Sequence, residues 1–246
     1  MKNTEKKPIN KTNTNQDKYA IIKFIFLLFC MIFLQYIPLI ILRIDPKSIP
    51  QNIAIIYNFI IDLIVILIII IMYKKRIITE FKSYIKNFGN NIETSFKYYI
   101  PGFILMVISN IAIVFFFKEA NANNEEAVRT MISLFPAYMI FSVSIYAPFV
   151  EETIFRRCIK DTILSLGNNK LTKYIYVFIS GFIFAVLHII GSATQVIDYI
   201  YIFPYISLGI SFALLYYKTD NIFSTVIMHS MHNTVAIILY ILSGVV

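Results

Sequence analysis

Long apolar runs separated by short polar segments dominate the chain. Each run can form a helix that crosses a bilayer, which takes about 20 residues. We predict seven spans, at approximately residues 24–42, 53–73, 98–117, 131–166, 174–190, 199–217 and 223–246. The fourth run enters a charged segment without a turn signal, so the pattern predicts one uninterrupted helix ending at Gly167 and Asn168. The predicted fold is all-α, a polytopic transmembrane bundle of about seven or eight spans with an intramembrane polar cavity.

The polar segments divide the chain into three parts. Residues 1–19 are rich in Lys and Asn, which predicts a disordered cytoplasmic tail. Residues 20–130 are assigned to N-terminal transmembrane helices and their loops, and residues 131–246 to a core that holds most of the unusual polar residues. The basic segment at residues 74–97 is predicted to be an interfacial helix with Ile and Phe on one side.

Composition and charge agree with a membrane protein. Hydrophobic residues make up 58% of the chain, above the 45–50% that is usual in soluble domains. Alternate polar segments contain 18 and 4 of the 22 Lys and Arg residues. The richer set belongs in the cytoplasm, so we predict a cell-membrane protein with a cytoplasmic N-terminus and, with seven spans, an external C-terminus. The net charge of +8 is then explained by loops that face anionic lipid, and no nucleic-acid partner is predicted.

The cysteine count and the composition bear on cofactors and partners. The only cysteines are Cys30 and Cys158, and neither lies in a CxxC pattern, so neither a disulfide framework nor a Cys-based zinc site is predicted. The lipid bilayer is the one partner that the composition implies directly. The sequence specifies no oligomeric state.

The first chemical motif is Glu151-Glu152 followed by Arg156, directly after an apolar run. Desolvated carboxylates are costly in a membrane. On a helix, Glu152 and Arg156 are four residues apart and can pair, whereas Glu151 points about 100° away and keeps a free carboxylate. An ordinary ion pair at a cytoplasmic helix end would give the same motif.

Two further motifs place histidines in apolar helices. Phe184 precedes His188 by four residues in the fifth span, and His229 precedes Asn233 by four in the last span, with His232 beside them. A membrane-interface histidine or hydrogen bonding between helices could explain each motif alone. All 3 histidines of the chain follow the Glu-Glu pair and lie on two apolar helices, and this clustering favours a shared site.

The three motifs together resemble the CAAX-protease and bacteriocin-processing family of intramembrane proteases. They read EExxxR, FxxxH and HxxxN in that order, and the resemblance covers roughly residues 136–240. The chain contains no HExxH motif and is therefore not a zincin.

The resemblance implies a protease that directs water onto a peptide carbonyl within the bilayer. Glu151 and His188 would hold and deprotonate the water, and His229 and Asn233 would stabilise the oxyanion. Glu152 and Arg156 would support the site. The expected partner is a peptide or protein substrate at the membrane.

The resemblance leaves two mechanisms open. We predict no cofactor, because Asn is a poor zinc ligand. The alternative is a zinc ion bound by Glu151, His188 and His229. In either case these three side chains must converge on one cavity. The predicted topology places Glu151 near the cytoplasm and His188 15 residues beyond Lys173, a rise of about 22 Å. The motifs can meet only if the fourth helix carries its carboxylates inward or the fifth begins in the cytoplasm.

Two other functions remain open at this point. The same fold could serve a non-proteolytic bacteriocin self-immunity factor or a regulator of a sensor kinase. A small transporter is a third possibility, for which Asn58 and Asp62 provide an argument because they lie four residues apart in an apolar helix.

Overall fold

The described part of the chain is built from helices. A computed structural model describes residues 19–118, 122–167 and 169–243, and every regular element in these ranges is a helix. In chain order the α-helices are α1 (Ala20–Phe33), α2 (Ile37–Leu42), α3 (Gln51–Lys86), α4 (Phe88–Phe117), α5 (Asn123–Leu134), α6 (Pro136–Phe141), α7 (Ala147–Glu151), α8 (Ile159–Ser165), α9 (Lys170–Ile190), α10 (Ile202–Thr219) and α11 (Ile222–Leu242). The predicted all-α fold is confirmed.

Helices long and apolar enough to cross a membrane account for most of these elements. Among the described residues there are six such segments: Ala20–Leu42, Gln51–Lys86, Phe88–Phe117, Lys170–Ile190, Val196–Thr219 and Ile222–Leu242. They correspond to six of the seven predicted spans, and many of their Ile, Leu and Phe side chains are exposed, as lipid-facing side chains would be. The chain is a multi-pass membrane protein. The predicted disordered tail lies outside the described residues, except for Tyr19.

The fourth predicted span is not one uninterrupted helix. Its first residues belong to α5, and the backbone leaves the helical region at Phe135 (φ −139°, ψ 62°) before α6 begins at Pro136. A proline disfavours the α conformation in the residue before it and has no N–H to continue a helix, which explains the break.

Residues 136–165 then continue as one helical rod with two π-helical stretches. Ser142–Tyr146 joins α6 to α7, and Glu152–Cys158 joins α7 to α8. Short π-helical segments are rare and occur frequently at functional sites. The rod ends at Ser165, close to the predicted end at Gly167 and Asn168. Asn168 itself lies outside the described residues.

The basic segment after the second span is helical, as predicted. A kink at Tyr73 (φ −118°, ψ 16°) divides α3, and the helix after the kink continues to Lys86. Its position at the membrane interface stays a prediction. After Asn87, α4 begins at Phe88, ten residues before the predicted start at Tyr98, and includes Pro101. The prediction located the apolar part of each span and the helical character of the basic segment, but missed that α4 begins within that segment.

A network of ion pairs and hydrogen bonds connects α3 to the rod and to the α10–α11 turn. The guanidinium of Arg76 lies 2.8 Å from Glu80 and 2.7 Å from Asp161. Glu80 also pairs with the fully buried Arg157 at 2.5 Å and accepts the backbone N–H of Ile222 at 2.8 Å. The carboxylate of Glu80 therefore joins three separate parts of the fold.

Helices from both sides of the predicted boundary at residue 130 share one core. Leu27 of α1 and Val65 of α3 pack in the same cluster as Ile154 of the second π stretch and Phe184 of α9. The three-part domain division itself stays a prediction.

Glycines allow α9 and α10 to approach very closely. A Cβ atom on Gly181 would lie 2.8 Å from the side chain and 2.9 Å from the backbone nitrogen of Ile210, and one on Gly209 would lie 2.8 Å from the carbonyl oxygen of Gly181. This contact fixes α9, which carries one of the motif histidines.

We expect Gly181→Ala to lower the free energy of unfolding by about 1–3 kcal/mol, because the added methyl group meets backbone that cannot move aside. Thermal unfolding of the purified protein in detergent would measure the change. Gly89→Ala is the matched control, since its Cβ would have nothing within 4 Å, and it should leave stability unchanged or slightly higher. Equal stability of both variants would contradict the prediction.

Candidate active site

The first two motifs meet because α8 and α9 are antiparallel neighbours. Glu151 lies 14 residues before the end of α8 at Ser165, and His188 lies 18 residues after the start of α9 at Lys170. These spacings correspond to about 21 and 27 Å along the two helices, so both residues lie at a similar depth from the connecting turn. The rod therefore carries its carboxylates away from the α8–α9 turn to the depth of His188.

Glu151 lies between the two histidines. Its Oε2 atom is 3.8 Å from Nε2 of His188 and 4.0 Å from Nε2 of His229. This oxygen is buried and accepts no hydrogen bond from any described residue. The structure thus brings the three predicted residues together, with all three on the wall of one cavity of about 750 Å³.

The hydrogen bonds of the two imidazoles fix which nitrogen carries a proton. His188 Nδ1 lies 2.8 Å from the carbonyl oxygen of Phe184, which can only accept, so Nδ1 is the donor. His229 Nδ1 lies 3.0 Å from Oε1 of Glu152 and donates to that carboxylate. In the neutral form of either ring, the Nε2 atom facing Glu151 therefore carries a lone pair.

Glu152 has two partners rather than the one predicted. Its carboxylate pairs with Arg156, Nε to Oε2 at 2.9 Å and Nη2 to Oε1 at 3.3 Å, and both side chains are fully buried. Its other contact is the His229 hydrogen bond, which joins the rod to α11. Glu152 therefore links the first motif directly to the third.

Asn233 faces the first π stretch. Its Nδ2 atom donates to the carbonyl oxygen of Val143 at 2.9 Å. The π pattern is visible in the bond from the Ala147 N–H to the carbonyl of Ser142. The next donor in this pattern would be Pro148, which has no N–H, so the carbonyl of Val143 lacks that donor and accepts the amide of Asn233. One N–H of Asn233 is used in this way, and the second is available for other contacts.

The rest of the cavity wall is mainly apolar. It is formed by α4, α5, α10 and α11, and its lining includes Phe103, Met106, Ile132, Leu208 and Leu239. His232 also lines it, bonded through Nδ1 to the Tyr99 hydroxyl at 2.9 Å. At the edge, Arg129 and Glu125 form an ion pair of 2.6 Å. An extended peptide with apolar side chains fits such a lining better than a strongly charged one.

Sequence reasoning missed Ser180 and the second partner of Glu152. The Ser180 hydroxyl accepts from Arg156 Nη1 at 2.9 Å and donates to the carbonyl of Phe155 at 2.7 Å. A signal for Ser180 was present, because it lies eight residues before His188 on the same face of an apolar helix. Nothing in the sequence predicts the hydrogen bond between Glu152 and His229, since it depends on how α11 packs.

The side chains of Glu151, His188 and His229 have the right atom types for zinc ligands, but their spacing is too wide. Both Nε2 atoms present lone pairs and Glu151 supplies an oxygen, as a zinc site would require. Ligand atoms at about 2.0–2.1 Å from one tetrahedral ion lie roughly 3.3 Å apart, whereas the two measured separations from Glu151 are 3.8 and 4.0 Å. Among the described residues, no three His, Cys, Asp or Glu side chains form a group that could hold a metal ion. The arrangement therefore does not fit zinc.

Related proteins point to the same class of enzyme as the geometry. The family model of type II CAAX prenyl endopeptidase Rce1-like proteins matches residues 133–235. The "Putative membrane peptidase YdiL" of Bacillus subtilis (strain 168) is 26% identical over 194 residues, which cover 77% of this chain and 72% of YdiL. The membrane-embedded CAAX protease MroQ of Staphylococcus aureus (strain USA300) is 28% identical over 158 residues, or 60% of each chain. No solved structure matches the chain significantly.

The matched segment contains all three motifs, from Glu151 to Asn233. Both relatives carry names of membrane peptidases, and together with the family they support a membrane protease at the level of the family. The resemblance inferred from the motifs is thereby confirmed for residues 133–235, the segment that matches the Rce1-like family model.

Proposed function

We propose that the protein is an intramembrane endopeptidase that cleaves membrane-associated peptides or proteins with a water activated by Glu151 and His188. The observation that carries the proposal is the position of Glu151 Oε2, which is buried, accepts no hydrogen bond from the described residues and faces two imidazole nitrogens at 3.8 and 4.0 Å. These separations are too long for direct hydrogen bonds, and they suit one water that bonds to more than one of the three groups.

In the proposed reaction, Glu151 takes a proton from the water as the water oxygen bonds to the peptide carbonyl carbon. The carbonyl oxygen becomes an oxyanion. When the C–N bond breaks, Glu151 returns the proton to the leaving amine, so the carboxylate is regenerated. His188 orients the water, because the lone pair on its Nε2 atom accepts a hydrogen bond from the O–H that Glu151 does not deprotonate. The hydrogen bond from His188 Nδ1 to the carbonyl of Phe184 keeps this lone pair on Nε2.

His229 and Asn233 are proposed to stabilise the oxyanion. His229 can donate from Nε2 only as an imidazolium, since its Nδ1 already donates to Glu152. A buried carboxylate in that position compensates the imidazolium charge and fixes the ring orientation, as in other hydrolases with a His–carboxylate pair. Asn233 would contribute its second amide N–H. Glu152 and Arg156 are positioning residues in this scheme.

The function is tested by comparing membrane peptides and protein termini from cells that contain the protein with those from cells that lack it. We expect new termini that depend on the protein and that lie within or beside apolar segments, because the cavity lining is mainly apolar. Purified protein in liposomes should reproduce the cleavage. If no terminus depends on the protein, the proposal fails and a non-proteolytic role on the same fold is favoured.

We expect chelators such as EDTA or phenanthroline to leave the cleavage rate unchanged within about twofold, because the three donors are more widely spaced than zinc ligands. The measurement is cleavage in liposomes before and after chelation, with and without added zinc. Loss of activity on chelation and its return with zinc would overturn the metal-free mechanism and retain the protease.

The orientation that we propose is a cytoplasmic N-terminus in the cell membrane, from the 18-to-4 division of Lys and Arg. Asn123 begins α5 and Asn87 lies between α3 and α4. We expect a membrane-impermeant thiol reagent added to intact cells to label Asn123→Cys and not Asn87→Cys. The unaltered chain is the blank, because both native cysteines are buried. The reverse labelling pattern would invert the topology.

A further inference from the structure

A second, smaller cavity of about 200 Å³ lies beside the rod that carries Glu151. Eight residues from α1, α3, α6 and adjoining turns form its wall: Met31, Gln35, Asn58, Ile61, Asp62, Tyr138, Ser142 and Tyr146. Six of these eight side chains are polar, and none of the eight is basic. Polar groups within apolar spans are costly, so a concentration of this kind marks a functional feature.

Asp62 is the most polar group in this wall. It is 7% exposed, accepts a hydrogen bond of 3.1 Å from the Tyr138 hydroxyl, and also interacts with the Tyr146 hydroxyl. The carboxamides of Gln35 and Asn58 provide further donors and acceptors around the same space. Water is the ligand that such a mixture of donors and acceptors binds, at about 30 Å³ per molecule and with two to four polar partners each.

The small cavity and the active-site cavity share a thin partition. Ser142 and Tyr146 of the first π stretch line the small cavity, while Val143 and Ala147 line the large one. The side chain of Met31 borders both cavities. An unbranched thioether side chain changes rotamer readily, so Met31 is suited to open and close this partition.

We propose that the polar cavity around Asp62 is a water reservoir for the hydrolytic site, and that Met31 is the gate between them. The inference rests on the proposed function, because each cleavage consumes one water. A bound peptide occupies the mainly apolar large cavity and covers Glu151 from that side. Water for the attack then arrives through the partition, from the side of the rod that the peptide does not cover.

Hydration of the reservoir is tested by thiol labelling, without any assay of cleavage. Ser142→Cys places a thiol in the cavity wall, and Ile145→Cys is the matched control in the same π stretch, 56% exposed toward lipid. We expect a small cationic methanethiosulfonate reagent to modify Ser142→Cys at least about tenfold faster, because only a hydrated thiol ionises to the reactive thiolate. Equal rates would overturn the reservoir.

The background for labelling is the chain with Cys30→Ala and Cys158→Ala. If that double variant is poorly folded, the native chain serves instead, with its own labelling subtracted, since both cysteines are buried. Both backgrounds allow the same comparison between the two positions.

The gate is tested by steady-state cleavage. Met31→Phe should lower kcat about tenfold and leave KM unchanged, because it blocks water and not peptide. Ile25→Phe, at a lipid-facing position of α1 that is 60% exposed, should change neither. Asn58→Leu should also lower kcat, and Asn58→Ser should retain more activity than Asn58→Leu. Unchanged kcat in both Met31→Phe and Asn58→Leu would overturn the supply route.

Failure of the reservoir and failure of the proposed function give different results. If no cleavage depends on the protein, the proposed function fails and, with it, the supply route, while labelling of Ser142→Cys still reports whether the cavity is hydrated. Slow labelling of Ser142→Cys combined with an inactive Glu151→Gln variant overturns the reservoir alone.

Discussion

Glu151→Gln is expected to lower the rate of peptide cleavage by about 10²–10⁴-fold, and further if the water is also misplaced. The amide has the size of the carboxylate and can still form hydrogen bonds, but it cannot take a proton from water. Because Glu151 Oε2 accepts no hydrogen bond from the described residues, the substitution breaks no hydrogen bond of that atom. Folding and the amount of protein in the membrane should therefore be unchanged.

Cleavage in liposomes and thermal unfolding in detergent, measured on the same preparation, test this expectation. Glu93→Gln on the exposed face of α4 is the control for loss of a carboxylate elsewhere, and it should retain normal activity. A Glu151→Gln variant with normal activity would remove Glu151 from the mechanism. A variant that fails to accumulate would instead indicate a structural role.

Glu152→Gln is expected to lower the free energy of unfolding by about 3–5 kcal/mol, the usual cost of leaving one member of a buried ion pair unpaired. Arg156 is fully buried, and without the carboxylate its remaining hydrogen bonds go to the neutral hydroxyl and carbonyl of Ser180. Adding Arg156→Met removes the unpaired charge and should restore part of the lost stability. Thermal unfolding of the two single variants and the double variant measures the coupling.

The double variant separates stability from activity. Its stability should partly recover, but its cleavage rate should stay low, because His229 Nδ1 no longer donates to a carboxylate. The expected pattern is low kcat in both Glu152→Gln and the double variant, with better folding only in the latter. Full recovery of kcat in the double variant would show that Glu152 supports folding and not the site.

The spans could be predicted because lipid imposes a length and a composition on each of them. The predicted spans at residues 174–190, 199–217 and 223–246 agree with α9, α10 and α11 within a few residues at most ends. The break at Phe135 was missed although Pro136 provided a signal, because the apolar run continues through it. The helical character of the basic segment was predicted, but its ion pairs with the rod were not, since they depend on how α3 packs against it.

The site residues could be selected from the sequence because an ionisable group in an apolar helix is costly and therefore indicates a functional role. Their exact partners could not be predicted. The Glu152–His229 bond depends on the packing of α11 against the rod, and the contact of Asn233 with Val143 depends on a π stretch followed by Pro148. Helical periodicity assumes a constant number of residues per turn, and this rod departs from it twice.

Those two departures are also the places where the length of the rod can change. A π stretch holds an extra residue compared with an α-helix of the same extent, so losing one residue from it would restore an ordinary α-helix and leave the residues on both sides facing as before. Ile145 lies in the first π stretch and is 56% exposed, so its loss removes little packing. A deletion in α6 or α7 would instead rotate Tyr138 by about 100° relative to Glu151, so Tyr138 could no longer face Asp62 while Glu151 faces the histidines. Relatives of this chain that differ in length between Tyr138 and the glutamate pair should therefore differ within this π stretch.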